Sequence, residues 1–201
     1  MLHPGDAEIL NFLEQIQLAR NVAIGLRCYR LRTMGLHFGR WLKLAPEQMR
    51  QLVFLCYCHG LGKISLPDAI LLKQGRLNEQ DWIKIREYPE ISELICKQHS
   101  SLKEFAPLVR SHQERLDGKG YPDGLSGDKI PYIVQVFQLL NIADAIINKR
   151  RNRSRKNPHG DNPYWQQAVE EITKEMQVGG RDQVLCEKFF QFLELYYRGG
   201  D

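Results

Sequence analysis

The sequence predicts an all-α fold, and three observations predict it. Apolar residues recur at helical spacing along nearly the whole chain, strand-like alternation is scarce, and prolines and glycines fall at the ends of the periodic stretches. The first helix is expected from about Asp6 to Arg20, with Ile9, Phe12, Leu13 and Ile16 on one face. A second covers Ala23 to Leu42. The third opens at Pro46, which suits a first helical turn because its missing N–H is not needed there, and ends near Gly60 and Gly62. Next comes NEQDWIKIREYPEISELICKQ, which Pro89 must kink or break. LKEFAPLVRSHQER reads as one further helix, and Pro131 starts a long one, IPYIVQVFQLLNIADAIINKR. Helices around Trp165–Met176 and Gln183–Tyr197 close the chain.

Composition narrows the class. The chain has 201 residues, 43% of them hydrophobic and 26% charged, which suits a globular protein with a real core. A net charge of +4 is too mild to imply a polyanionic partner by itself. The apolar run Leu52–Cys58 is too short to span a bilayer, and MLHPGDAEIL lacks the pattern of a secretory leader. Five cysteines without a C-x-x-C pair suggest a reduced, cytoplasmic protein. No internal repeat is visible. The expected organisation is one domain over 1–201, with an N-terminal helix (1–24), a core (25–157) and C-terminal helices (158–201).

Three helices place an ionisable residue where their pattern calls for a hydrophobe. His59 follows Leu52, Leu55 and Cys56, and His112 follows Phe105, Leu108 and Val109. Asp144 continues Ile133, Phe137 and Leu140. A buried carboxylate needs a counter-charge, a proton or a metal. Histidines and a carboxylate from separate helices are one way to build a metal site, while a single buried histidine is more often a satisfied core residue. The segment DGKGYPDGLSGDKIP cannot be helical and specifies a stiff, closely turned loop. Its Tyr121 is either a recognition residue or the residue that packs the loop onto the body.

Two motifs carry a family resemblance over roughly Arg20 to Leu195. They are HGLGKISLPDAILLKQGRLNEQD, from His59 to Asp81, and HQERLDGKGYPDGLSGDKIP, from His112 to Pro131. With IADAIINKRRNR downstream, the chain resembles the HD-GYP domains, metal-dependent cyclic di-GMP phosphodiesterases of the HD superfamily. The resemblance implies a bundle of about seven helices around a buried metal centre. It aligns His59, His112 and Asp144 with metal ligands. At the other ligand positions the chain departs, with Arg27, Gly60, Tyr88 and Gln113. Lys63, Arg150 and Arg153 match residues that face substrate phosphate, and Gly120, Tyr121 and Pro122 match the motif through which the family engages GGDEF-type diguanylate cyclases.

Glycine at position 60 can supply neither oxygen nor charge to two cations, and Arg27 would set a permanent cation beside them. A guanidinium there could instead pair with Asp144 and replace the metal. Glu87, Glu90, Glu93 and Glu114 lie near ligand positions and are the carboxylates that could compensate. The expectation is therefore a divergent, non-catalytic binding or regulatory module in cyclic di-GMP signalling. It would act through the GYP loop and a residual phosphate-facing pocket, with no tightly bound cofactor and at most one weak iron or manganese ion on His59, His112 and Asp144. Its expected partners are a diguanylate cyclase or other signalling protein and cyclic di-GMP or a related nucleotide, but no membrane. The alternative is a phosphodiesterase with an altered or single-metal site. Nucleic-acid binding through Lys149–Lys156 is a weaker third reading, since that run lacks interleaved aromatics. A homodimer through the aromatic C-terminal helix (Phe189, Phe190, Phe192, Tyr196, Tyr197) is left open.

Overall fold

A computed structural model describes residues 5–73, 75–151 and 164–198. Its longer helices follow the apolar periodicity: α1 (Asp6–Arg20), α2 (Val22–Trp41) and α3 (Pro46–Cys58) pack against one another. A 3-10 turn (Leu61–Ser65) and the short α4 (Asp68–Leu71) lead to α5 (Glu79–Arg86) and α6 (Tyr88–Lys97). Pro89 sits in the first turn of α6, so the predicted long helix breaks at Glu87.

The segment expected as a single helix from Leu102 onward is not one. Pro107 admits only a five-residue α7 (Ala106–Arg110), flanked by 3-10 turns at Lys103–Phe105 and Ser111–Gln113. The last turn presents His112. Beyond the loop run α8 (Tyr132–Arg151), α9 (Tyr164–Gln177) and α10 (Gln183–Arg198). Among the described residues there is no strand, only one isolated bridge between Asp117 and Ser126, and no helix is long and apolar enough to cross a membrane.

One apolar cluster runs through the bundle from Leu10 of α1 to Leu193 of α10. Phe38 joins α2 to α10 through Phe189 and Phe192, with ring centroids 4.9 Å away in both cases. Phe189 and Phe192 are therefore used in the core, while Phe190, Tyr196 and Tyr197 are half-buried beside it. The buried face of α1 also differs from expectation. Leu10, Leu13 and Gln17 point inward, while Phe12 is exposed. Buried Arg50 of α3 ties α1 down through Asp6 (2.8 and 3.1 Å) and reaches Glu104 (2.9 Å).

The glycine-rich loop is organised by one fully buried carboxylate. Glu114 accepts the backbone N–H groups of Asp123 (2.7 Å) and Leu125 (2.9 Å), one on each oxygen. Its own carbonyl accepts from Gln138 of α8 (2.8 Å) and from Arg181, in the turn between α9 and α10 (3.2 Å). Gly120 lies against this residue so closely that a Cβ would land on the backbone of Glu114 and Arg115. Gly118 and Gly124 adopt φ of 73° and 65°, which other residues rarely tolerate. Glu114 is thus occupied and does not compensate for a missing metal ligand. Replacing Glu114 with Gln keeps the shape but turns an N–H group toward an N–H donor. The expected cost is about 1.5–3 kcal/mol in a denaturant melt, with faster amide exchange at Asp123 and Leu125.

Candidate functional site

All three ionisable residues on apolar faces are buried, at 2% exposure for His59, 1% for His112 and 2% for Asp144. The end of α3 positions His59, the turn after α7 positions His112, and the middle of α8 positions Asp144. The two imidazoles meet, with ring centroids 5.6 Å apart and Phe137 packed against both. Asp144 does not join them. Among the described residues, no three His, Cys, Asp or Glu side chains converge so as to hold a metal ion. The trio inferred from the sequence is therefore not assembled as a ligand set.

Asp144 is turned toward α2. Arg30 binds it with two bonds, Nε to Oδ1 at 2.7 Å and Nη2 to Oδ2 at 3.2 Å. Arg27 Nη1 lies 3.5 Å from Oδ2, and Asn148 donates to Oδ1 at 2.8 Å. The predicted pairing of Asp144 with a guanidinium is present, but Arg30 is the main partner and Arg27 the second. Arg27 spends its Nη2 on the backbone and side-chain oxygens of Asn141, at 2.9 and 2.8 Å.

The departures at Tyr88 and Gln113 form a network of their own. The Nδ1 of His112 faces the Val109 carbonyl at 2.5 Å, and a carbonyl can only accept, so Nδ1 carries the proton. The Nε2 then accepts from the Tyr88 hydroxyl at 2.8 Å. Gln113 in turn donates to the Tyr88 oxygen at 2.7 Å. The nitrogen a metal would need is thus hydrogen-bonded to a tyrosine. His59 has its Nδ1 against the Leu55 and Cys56 carbonyls, each at 3.2 Å. Burial, followed by the charge of Lys63, pushes His59 well below its ordinary pKa; burial with Lys63 and Arg27 brings His112 down to about 3.

Position 60 has a different replacement. A Cβ on Gly60 would stand 3.4 Å from the Gln17 amide oxygen, so α1 delivers Gln17 to the region where an aspartate would project. Gln17 is 1% exposed and donates to the Tyr57 carbonyl at 2.9 Å. Arg20 extends this contact by donating to the Leu66 carbonyl (2.8 Å) and pairing with Asp68 (2.6 Å). Sequence reasoning missed Gln17; the signal was its seven-residue spacing from Leu10.

Lys63 sits with its Nζ 4.9 Å from the centre of the Tyr88 ring. Burial, and then the charge of Arg27, lowers it to about 8. The side chain of Arg150 and the whole of Arg153 lie outside the described residues, as do the side chains of Lys149–Lys156. The remaining candidate carboxylates are engaged or exposed. Glu93 pairs with Arg110 (3.0 Å) and Lys97 (2.8 Å), Glu90 is 3.4 Å from Arg110, and Glu87 is exposed. Tyr121 is half-buried with its phenol beside that of Tyr88, and burial raises it to about 12. It packs the loop onto the site while keeping part of its surface exposed. The donor set does not fit a di- or tri-metal centre: one carboxylate is held by arginine, one imidazole is bonded to tyrosine, and two cations stand nearby.

A model of the HD domain family matches residues 12–175. The chain is 35% identical over 111 residues to the cyclic di-GMP phosphodiesterase response regulator RpfG of Xanthomonas campestris, covering 54% of this chain and 29% of that protein. It is 34% identical over 96 residues to 3'3'-cGAMP-specific phosphodiesterase 3 of Vibrio cholerae (48% and 21%). A cyclic di-GMP phosphodiesterase of Thermotoga maritima is 26% identical over 151 residues (74% and 41%). The match thus spans less than half the length of each of these relatives.

Two outcomes follow from the geometry. Removing one partner of a buried ion pair costs about 3–5 kcal/mol when nothing replaces it. Arg30→Met should cost about 2 kcal/mol, because Arg27 and Asn148 remain, and Asp144→Asn should cost less in that background than alone. Denaturant melts of the two single variants and the double variant check this. Tyr121→Ala should lower stability by about 1–3 kcal/mol through lost burial, and an unchanged melting temperature would count against the packing role.

Proposed function

The chain belongs to the HD domain family, and from that premise we propose that it binds a cyclic dinucleotide without hydrolysing it, as a regulatory module in cyclic di-GMP signalling. The named activities of the relatives, cyclic di-GMP or 3'3'-cGAMP phosphodiesterases, support the ligand class. The single observation that carries the loss of hydrolysis is the state of the ligand positions. At three of them another side chain is in place: Arg30 and Arg27 on Asp144, Tyr88 on His112, and Gln17 beside Gly60.

Phosphodiester hydrolysis near neutral pH needs a strong nucleophile and neutralisation of the phosphate charge, and paired metal ions supply both. Here arginine and lysine can neutralise a phosphate, but neither generates hydroxide. The two histidines are buried and held neutral, with Nδ1 of each turned to backbone carbonyls. That arrangement favours retention of the ligand over its cleavage. Lys63, Arg150 and Arg153 are the proposed phosphate contacts, and the GYP loop is the proposed surface for a diguanylate cyclase or other signalling partner.

Incubation with cyclic di-GMP and added Mn²⁺ or Fe²⁺ should give no turnover above a metal-only control, while calorimetry detects binding. Gly60→Asp alone should not create activity, because Arg27, Tyr88 and Gln113 remain and the new side chain stands against the Gln17 amide oxygen. Clear turnover by the wild-type chain would return it to the phosphodiesterases.

A further inference from the structure

Helix α5 (Glu79–Arg86) is tied to the body on one side only. The residue it buries is Asp81, which shares a capping box with Asn78 and pairs with Lys73. The opposite side presents Glu79, Trp82, Ile83 and Arg86, spaced i, i+3, i+4 and i+7 and therefore on one face. All four are exposed, Trp82 at 44% and Ile83 at 57%. Glu79 and Arg86 form no ion pair with another described residue. Beside this face lies an open groove of about 500 Å³, whose apolar lining is Leu66, Pro67, Ile83 and Ile91. Ile64 and Leu94, on the segments that form its walls, are exposed as well. A tryptophan and several aliphatic side chains left in water around one groove mark an interaction surface.

The charges on that face select the partner. Along α5 the acidic Glu79 comes first, the apolar Trp82 and Ile83 sit at the centre, and the basic Arg86 comes last, so the face is its own complement when reversed. We propose that the chain forms a two-fold homodimer in which α5 packs antiparallel against α5 of a second copy, Trp82 against Ile83 and Glu79 against Arg86. A two-fold axis through the midpoint of the helix makes each of these contacts twice, as an isologous interface requires. A parallel arrangement would set Glu79 on Glu79 and Arg86 on Arg86, so like-charge repulsion rejects it. The apolar pair supplies most of the affinity, because exposed ion pairs contribute little by themselves and a covered indole is a common anchor. Ile83 belongs to the groove lining, so the antiparallel contact also brings Trp82 of one copy to the mouth of the other's groove. The surface involved is small, and the dissociation constant should be on the order of micromolar. The contact does not depend on nucleotide binding.

Sedimentation equilibrium of the whole chain, from about 1 μM to about 500 μM, tests this. The wild type should pass from monomer to dimer across that range, and Trp82→Ala and Ile83→Ala should each weaken dimerisation about tenfold or more. Because both residues are exposed, the melting temperature of the dilute, monomeric chain should hardly change. Glu79→Arg and Arg86→Glu each create like-charge contacts across the axis and should weaken the dimer, whereas the double variant Glu79→Arg/Arg86→Glu should restore it. An equimolar mixture of the two single charge variants should form a heterodimer, since every contact between positions 79 and 86 then joins opposite charges. A wild-type chain that stays monomeric at the highest concentration overturns the proposal. So does a dimer that none of these substitutions weakens, which would put the contact on another surface. If the single charge variants weaken the dimer and neither the double variant nor the mixture recovers it, the antiparallel pairing is wrong.

Discussion

A carboxylate that is 2% exposed must have its charge answered, and the way Asp144 is answered shapes the rest of the site. Its partners come from α2, so Arg30 and Arg27 join the two longest helices, α2 and α8, across the middle of the bundle. With the carboxylate directed at α2, the imidazoles of His59 and His112 are left facing each other and Phe137. Their burial and the nearby cations then favour the neutral form, and a neutral imidazole can rest on backbone carbonyls and a tyrosine hydroxyl. An ion pair on one side and a neutral hydrogen-bonded network on the other thus follow from a single choice of counter-charge.

The loop is held independently of that choice. Glu114 directs both oxygens at loop N–H groups, and its carbonyl is bonded from α8 and from the turn before α10. A buried carboxylate is again satisfied, here by backbone donors. This explains how the Gly-Tyr-Pro geometry can persist beside a changed ligand set. The two regions touch at Tyr121, whose phenol lies beside the Tyr88 hydroxyl. A ligand that displaced the Tyr88 network would therefore disturb the underside of the loop.

Much of this was legible in the sequence. Helical periodicity and proline positions located α1, α2, α3, α8, α9 and α10 to within a residue or two, and the break before α6. The three ionisable residues on apolar stripes were rightly read as buried. The pairing of Asp144 with an arginine was expected from the alignment of Arg27 with a ligand position, together with the need of a buried carboxylate for a counter-charge. What failed was information carried by shape. Periodicity could not show that Pro107 would leave only one short α-helical stretch between two tighter turns. A glutamine at a core position draws no notice in a count of hydrophobes, yet Gln17 fills the space beside Gly60. Glu114 resembled an ordinary helical glutamate because its partners are backbone groups 9 and 11 residues away, which composition does not reveal. Arg30 was passed over for Arg27 because alignment ranks positions, whereas the rotamers on α2 decide which guanidinium reaches the carboxylate first.

The departures from the metal-binding pattern depend on one another energetically. Arg27 beside two divalent cations would be strongly repelled, and Asp144 deprived of both a metal and its arginines would be a bare buried charge. Tyr88 can donate to His112 Nε2 only while no metal claims that nitrogen, and Gln113 then has the phenol oxygen as its acceptor. A Cβ at residue 60 would stand 3.4 Å from the Gln17 amide oxygen, so an aspartate there would bring a negative carboxylate up against it. Each substitution is tolerable in the presence of the others and costly alone.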